Sequence, residues 1–155
     1  MLRRFAICTC TLLVAACSGG GSVPRPAQPA PPPAEFLQGK LRISASTTPT
    51  WQLEEQVARG YGIPRSDDGV LLLVTVREGP EGADTALESD ISGWATDLQG
   101  GRRALAFREL RMPGFVDQVA VLDVQAPDTL HFRLTVTPRG HGPKQLDFVR
   151  EFHRR

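Results

Sequence analysis

Apolar and polar residues alternate one by one along much of the C-terminal part of this chain. The clearest apolar series is Leu130, Phe132, Leu134 and Val136, and the residues before each of these are Thr129, His131, Arg133 and Thr135. A period of two places alternate side chains on opposite faces of an extended strand, whereas a helix needs a period near 3.6. The alternation therefore predicts a half-buried β-strand.

Other segments extend this pattern over the rest of the domain. The series Leu146, Phe148 and Phe152 alternates near the end of the chain, and shorter strands are predicted at 41–46, 87–98 and 103–110. Residues 70–74 and 119–122 are apolar on both faces, which is typical of strands covered on both sides. Turn sequences such as Asp67-Asp68-Gly69 and Gln99-Gly100-Gly101 separate the strands. Together these features predict an all-β sandwich.

One segment departs from the alternation. Leu53 and Val57 are four residues apart, as on one face of a helix, within residues 53–59. Thr50 is a suitable N-cap and Gly60 a suitable C-cap. We expect a single short helix here, crossing one end of the sandwich.

The N-terminus has the order of residues found in bacterial lipoprotein signals. Arg3 and Arg4 precede an apolar run over 5–16, which is shorter than the roughly 20 residues of a membrane span. Small residues end the run, and Cys17 follows them directly. This order predicts a signal peptide at 1–16 and attachment of fatty acyl chains such as palmitate to Cys17. The alternative is an ordinary cleaved signal peptide that leaves Cys17 as a free thiol.

The residues after Cys17 predict where the lipid holds the protein. Ser18 follows the cysteine, and not an aspartate, so we expect the outer membrane of a Gram-negative envelope, with the domain facing the periplasm. Stable anchoring needs about two membrane signals, which a multiply acylated cysteine would supply.

A linker rich in Gly and Pro is predicted over residues 17–38, ahead of one domain at 39–155. Its composition cannot form a core, and in the polyproline II conformation it would extend up to roughly 60 Å. A spacer is the first interpretation. The alternative is a PxxP ligand for a proline-binding module.

Composition excludes several classes of function. Cys8 and Cys10 leave with the signal peptide and Cys17 carries lipid, so no cysteine remains for a disulfide, a thiolate metal site or a nucleophile. The 18 Lys and Arg and 17 Asp and Glu, less Arg3 and Arg4, give a mature chain close to neutral. The basic residues are also spread along the chain, so nucleic-acid binding is not expected.

Three motifs and the final strands resemble a known family. These are Tyr61-Gly62-Ile63-Pro64-Arg65-Ser66 with Gly69 and the strand 70–76, Ser92-Gly93-Trp94-Ala95-Thr96-Asp97-Leu98 with Gly100, Phe107-Arg108-Glu109-Leu110-Arg111, and then Leu130, Phe132, Val136 and Pro138. Over residues 41–152 the chain resembles the domain of unknown function 4426, a set of small exported proteobacterial proteins. The resemblance implies a periplasmic immunoglobulin-like antiparallel β-sandwich, of about seven strands in such folds. It implies no activity, and the lipidation signal and proline spacer depart from family members with a plain signal peptide.

No motif of a catalytic, cofactor or metal site is present. His131, His141 and His153 form no HxH or HxxxH pair, so exposed surface histidines are expected. There is no Gly-x-Ser-x-Gly elbow, and Ser66 and Ser92 have no evident histidine partner. We therefore expect neither a cofactor nor enzymatic activity.

One polar cluster is a candidate binding surface. Its residues are Tyr61, Arg65, Arg108, Glu109 and Arg111. If the strand near Phe107 runs beside the Tyr61 loop, arginine forks and a tyrosine would meet there and could bind an anionic ligand or a peptide terminus. The alternative is a structural Arg–Glu pair that holds the loop on a strand.

Trp51 and Trp94 are predicted to serve packing, Trp94 in the core or across strands.

These features predict a lipid-anchored binding or adaptor module of the cell envelope. An envelope protein is the expected partner, recognised by pairing with an exposed edge strand. A small periplasmic enzyme and a structural lipoprotein without a ligand are the alternatives. An enzyme would have a concave site with convergent ionisable groups, whereas a binding module would have a flat face or an open edge.

Overall fold

The computed structural model describes residues 30–154, which form two antiparallel β-sheets packed face to face. The predicted signal peptide, the lipidation site at Cys17 and the first part of the linker lie outside these residues. Among residues 30–154, none of the helices has the length and apolar character needed to traverse a bilayer.

The first sheet has six strands and the second has four. The first contains β1 (Ala34–Gln38), β2 (Leu41–Pro49), β3 (Gly69–Glu78), β4 (Thr85–Ala86), β7 (Arg108–Met112) and β8 (Phe115–Asp123), in the order β1-β2-β3-β8-β7, with β4 paired to β3. The second contains β5 (Ser89–Thr96), β6 (Arg102–Ala104), β9 (Asp128–Pro138) and β10 (Lys144–Phe152), in the order β10-β9-β5-β6. The predicted all-β sandwich is confirmed. The strands outnumber the expected seven because β1, β4 and β6 are short segments without a clear apolar alternation.

The core lies between the two sheets. Its fully enclosed side chains include Ile43 of β2, Leu72 of β3, and Leu130, Phe132, Leu134 and Val136 of β9, all 0% exposed. The Phe132 ring stacks on Phe148 of β10 with centroids 5.0 Å apart. The predicted face of β9 is therefore confirmed as the core face, and burial of each such side chain contributes about 1.5 to 3 kcal/mol.

The boundary between linker and domain lies earlier than predicted. Residues Ala34–Gln38 belong to the predicted linker but form β1, which pairs with β2 in register from Ala34 opposite Ala45 to Gln38 opposite Leu41. Phe36 packs against the core. The short run of apolar residues here does not by itself predict a strand. Pairing with the neighbouring strand β2 holds β1 in place, and this pairing is not visible in the sequence.

The predicted short helix is α1 (Glu55–Gly60), and it belongs to a segment that packs on the outer face of the first sheet. Around it, residues 50–66 form a covering segment. Ile63 and Leu53 of this segment pack with Leu71, Leu73, Leu110, Val119 and Val121 of the sheet. Both faces of β3 are thus covered, as its continuous apolar run predicts.

Both predicted caps of the helix are wrong. Thr50 begins a separate 3-10 turn, Thr50–Gln52, and its buried Oγ1 accepts a hydrogen bond from the Ser66 N–H at 3.0 Å. Glu54 occupies the N-cap position instead. Gly60 is the last residue of the helix, and Tyr61 takes the C-cap position. The chain then turns at Gly62, whose φ of 60° is a left-handed conformation that favours glycine.

Candidate functional site

Arg108 of β7 contacts the loop that contains Tyr61. Its Nη2 donates to the carbonyl oxygen of Tyr61 and, at 3.4 Å, to that of Gly62. The strand therefore runs beside this loop. However, Arg108 directs its Nη2 group to backbone carbonyl oxygens, and these bonds hold the chain that follows α1 on the sheet.

Arg65 makes the same kind of contact at the other side of the covering segment. Its Nη2 donates to the carbonyl oxygen of Trp51 at 2.8 Å. This bond joins the last part of the segment to the 3-10 turn at its beginning. Both arginines thus tie irregular backbone together.

Glu109 and Arg111 lie on the opposite face of β7 from Arg108. Arg111 Nε donates to Glu109 Oε1 at 2.9 Å, and its Nη2 donates to Glu88 Oε1 at 2.7 Å. Arg139 pairs with the second carboxylate oxygen of Glu88. The hydrogen bond from Arg111 and the charge of Arg139 lower the pKa of Glu88, and the same bond raises the pKa of Arg111.

The five residues of the predicted cluster therefore divide among three separate sets of contacts: Arg108 with the Tyr61 loop, Arg65 with Trp51, and Arg111 with Glu109 and Glu88. Arg108 is level with Val119 on the outer side of the first sheet, whereas Arg111 is level with Val116 on the other side. Residues an odd number of positions apart on a strand point to opposite faces. Their closeness in sequence thus does not make one surface.

A different set of polar and aromatic side chains meets on the outer face of the second sheet. The register places Trp94 of β5 opposite Arg133 of β9 and Ala104 of β6, and it places Thr96 between His131 and Arg102. We call this surface the Trp94 face: Ser92, Trp94, Thr96, Arg102, His131, Arg133, Thr135, Gln145 and Asp147. All of these side chains are exposed or half-buried, so the face is open and flat.

Trp94 is at the centre of this face and interacts with two arginines. The Arg102 guanidinium carbon lies over the Trp94 ring, 3.6 Å from its centroid, in a close cation–π contact. The Arg133 guanidinium carbon lies 5.9 Å from it. The sequence predicts that Trp94 packs either in the core or across strands. It packs across strands on the outer face, and its neighbour Ala95 occupies the core position at 0% exposure.

The charges on the Trp94 face are unevenly paired. Arg133 Nε donates to Asp147 Oδ1 at 2.8 Å, and His131 Nε2 lies 4.0 Å from the same oxygen. Within residues 30–154, Arg102 makes no side-chain hydrogen bond or ion pair and has only its contact with Trp94. The face thus has one arginine whose charge is not neutralised.

Gly93 is needed to build this face. A Cβ at this position would lie 2.5 Å from the carbonyl oxygen of Arg133 and 2.7 Å from Leu134 Cδ2. Only glycine lets β5 approach β9 this closely, and that approach brings Trp94 beside Arg133. The glycine beside the tryptophan in the Ser92-Gly93-Trp94 motif is a sequence signal for this face. The sequence alone did not show that the strand register brings Arg102 and Arg133 to Trp94.

The three histidines and the two depressions of the described part of the chain involve different acidic residues. The three histidine rings lie near different carboxylates: His131 near Asp147, His141 3.1 Å from Glu78, and His153 3.8 Å from Glu151. Residues 30–154 contain no group of three or more His, Cys, Asp or Glu suited to a metal ion. Two open depressions, of about 260 and 430 Å³, share Asp84, which is already bound by Arg77 at 3.0 Å.

Comparisons place the domain among proteins without an assigned activity. The family model "Domain of unknown function (DUF4426)" matches residues 36–154. A crystal structure of a DUF4426 family protein from Pseudomonas aeruginosa has a TM-score of 0.68 at 24% identity, covering 79% of this chain and 96% of that one. No curated protein matches the chain.

The fold is also similar to that of FetP from uropathogenic Escherichia coli. The FetP structure, from protein recombinantly expressed in the periplasm, has a TM-score of 0.56 at 14% identity and covers 78% of this chain and 95% of that one. A copper-bound variant of FetP has a TM-score of 0.55, also at 14% identity, with 78% and 96% covered. These likenesses show a shared fold.

Proposed function

Because the chain belongs to the DUF4426 family, whose function is unknown, we propose a role from its own surface: a lipid-anchored periplasmic module that binds a component of the cell envelope. The observation that carries the proposal is the Trp94 face, which is flat, open and built around a tryptophan and two arginines. Trp and Arg are the residue types most enriched at the energetic centres of protein interfaces.

The form of this surface favours binding over catalysis. An active site is usually concave and gathers ionisable groups with shifted pKa values. Within residues 30–154, the carboxyl groups with shifted pKa values are those of Glu88 and Asp117. Glu88 is already bound by two arginines, and Asp117 lies on the sheet and lines neither depression. A flat face instead suits a macromolecular partner that presents a complementary surface.

The N-terminal sequence supports attachment to a membrane. Cys17 follows a signal of lipoprotein type, and Ser18 after it favours the outer membrane. The spacer before β1 would extend to roughly 50 Å in the polyproline II conformation. Arg150 Nη2 donates to the Pro32 carbonyl oxygen at 2.8 Å, so the spacer joins the domain beside β10. The likeness to FetP, expressed in the periplasm, agrees with this location.

Copper binding is not part of the proposal, although a variant of FetP binds copper. Copper sites gather imidazole and sulfur ligands around one point. Here His131, His141 and His153 lie near three different carboxylates, and this donor set does not fit such a site.

Site-specific photocrosslinking in cells tests the proposed function. A photoreactive amino acid replaces Thr135, on the Trp94 face, in the full-length lipidated protein. The matched control replaces Val57, which is 37% exposed on α1. We expect one dominant envelope component crosslinked from Thr135 and not from Val57, identified by mass spectrometry. Equal crosslinking from both positions, or none from Thr135, would contradict the proposal and favour a lipoprotein without a dedicated ligand.

A further inference from the structure

The geometry points to a carboxylate-binding site at Arg102, through which the Trp94 face recognises an acidic side chain of a protein partner. This inference rests on the proposed function and names the chemistry of its ligand. It goes beyond the predicted cluster, in which Arg65 and Arg108 donate to backbone carbonyl oxygens and Arg111 pairs with Glu109 and Glu88.

Stacking on Trp94 prepares Arg102 for a ligand. At 3.6 Å from the ring centroid, the guanidinium lies against the indole, so the ring restrains it without any use of its N–H groups. A guanidinium presents these donors in its plane, in a fork that matches the two oxygens of a carboxylate. A restrained fork loses less side-chain entropy on binding than a mobile one.

The charges around Arg102 suit a ligand with a single negative charge. Arg133 is neutralised by Asp147 at 2.8 Å, and the same carboxylate lies 4.0 Å from His131. Among Arg102, Arg133 and Asp147, the one positive charge left in excess on the face is therefore that of Arg102. A phosphate group carries nearly two charges, which exceeds the single excess charge of the face. One carboxylate leaves the face close to neutral.

The remainder of the face fits a protein partner. Thr135 Oγ1 accepts a hydrogen bond from Gln145 Nε2 at 3.0 Å, and Ser92 and Thr96 add hydroxyl groups around Trp94. Such a face has a flat aromatic centre with a polar surround, which is the arrangement found at protein–protein interfaces. An Asp or Glu on the partner would place its carboxylate on Arg102.

A binding experiment with the mature lipidated chain in detergent micelles tests the site. The probe is a synthetic peptide of alternating glutamate and serine, and its analogue with glutamine is the neutral control. Nuclear magnetic resonance follows the indole N–H of Trp94 and the amides of Thr96 and His131. We expect saturable shifts with the glutamate peptide and none with the glutamine peptide. Equal shifts with both peptides would overturn the carboxylate assignment.

Two arginine variants separate the site from general charge attraction. Arg102→Gln should weaken binding at least about fivefold, because the charged two-point contact is lost. Arg59→Gln removes the same charge from α1, where Arg59 pairs with Glu55, and should leave the affinity within about twofold. Equal weakening by both variants would overturn the inference. So would tighter binding of inorganic phosphate or of glucuronate than of the glutamate peptide.

The two proposals fail in distinguishable ways. Crosslinking from Thr135 without peptide binding overturns the carboxylate assignment and leaves the binding module. Peptide binding without a Thr135 crosslink overturns the proposed function and the inference with it.

Discussion

Arginine side chains that donate to backbone carbonyl oxygens hold the irregular parts of this domain. Arg65 reaches Trp51, Arg108 reaches Tyr61, and Arg150 reaches Pro32. Each accepting group is in a loop or a turn, where no neighbouring strand supplies a donor. A charged donor makes a stronger hydrogen bond than a neutral one, so single side chains can fix these segments.

Replacing Arg108 by alanine is expected to destabilise the fold without removing a ligand. The Tyr61 and Gly62 carbonyl oxygens would lose their donor, and the free energy of unfolding should fall by about 1 kcal/mol. Arg59→Ala, which breaks an exposed pair with Glu55, is the matched control and should cost less than about 0.5 kcal/mol. Urea denaturation measures both. An unchanged stability of Arg108→Ala together with loss of a partner would restore Arg108 as a binding residue.

Asp117 of β8 gives a prediction with a defined dependence on pH. Within the described residues its Oδ1 is buried and accepts no hydrogen bond, and burial raises the pKa of the carboxyl, although the charge of Arg77 acts in the opposite direction. The folded chain therefore holds this proton more tightly than the unfolded chain. Stability is then lost as pH rises from the unfolded pKa, about 3.9, through the folded one.

Asp117→Asn should accordingly raise the unfolding midpoint at neutral pH, and the gain should vanish below the unfolded pKa. Asparagine keeps the shape but has no charge to bury. Thermal unfolding across a pH series makes the measurement, and Asp90→Asn at an exposed position of β5 is the control. A gain that persists at low pH would mean that charge burial is not its cause.

At the scale of elements, the covering segment 50–66 is the main addition to a plain two-sheet sandwich. It buries the outer face of β3 and β8, where Leu71 and Val119 would otherwise be exposed. This explains why the Tyr61-Gly62-Ile63-Pro64-Arg65-Ser66 motif precedes a strand that is apolar on both faces. The motif supplies the cover and β3 supplies the surface beneath it.

Ile63→Ala tests how much this cover contributes. Ile63 is 4% exposed, and its truncation leaves a cavity above Leu71, so we expect a loss of about 2 to 4 kcal/mol in the free energy of unfolding. Val57→Ala in the same segment, at 37% exposure, should cost less than about 0.5 kcal/mol. Chemical denaturation compares them. Equal small losses would show that the segment rests on the sheet without stabilising it.

The edge strands of the two sheets are β1, β6, β7 and β10. β1 has five residues and β6 only three, and β7 carries Arg108, Glu109 and Arg111. β10 is longer but has charged residues at Lys144, Asp147, Arg150 and Glu151. Short or charged edge strands discourage pairing with other chains. Recognition through an edge strand therefore stays a prediction, and the Trp94 face is the better-supported surface.

At the scale of the whole molecule, the predicted lipid anchor and the domain have separate roles. In the proposed function the lipid on Cys17 sets the location, and the sandwich presents the Trp94 face to a partner within reach of the spacer. Cys17→Ser removes the predicted acylation site while leaving residues 30–154 unchanged. We expect the variant to move from the membrane fraction to the soluble periplasmic fraction and to lose labelling by palmitate, with the same unfolding midpoint. A variant that stays membrane-bound would disprove lipid anchoring through Cys17.

The sequence by itself determined the fold class and the core face of β9. Alternation such as that of Leu130, Phe132, Leu134 and Val136 is a local pattern, and its period decides which side chains are buried. The continuous apolar run of β3 likewise predicted cover on both sides. These properties need no knowledge of which strand is the neighbour.

Only the tertiary structure decided which residues share a surface. Arg102 and Arg133 lie far apart in sequence but meet at Trp94 because the registers of β5 with β6 and with β9 align them. The same alternation separated Arg108 from Arg111, which sequence proximity had joined. Register depends on hydrogen bonds between distant strands, and a one-residue change would exchange the two faces. A site built across strands is therefore fixed by packing of the whole sandwich.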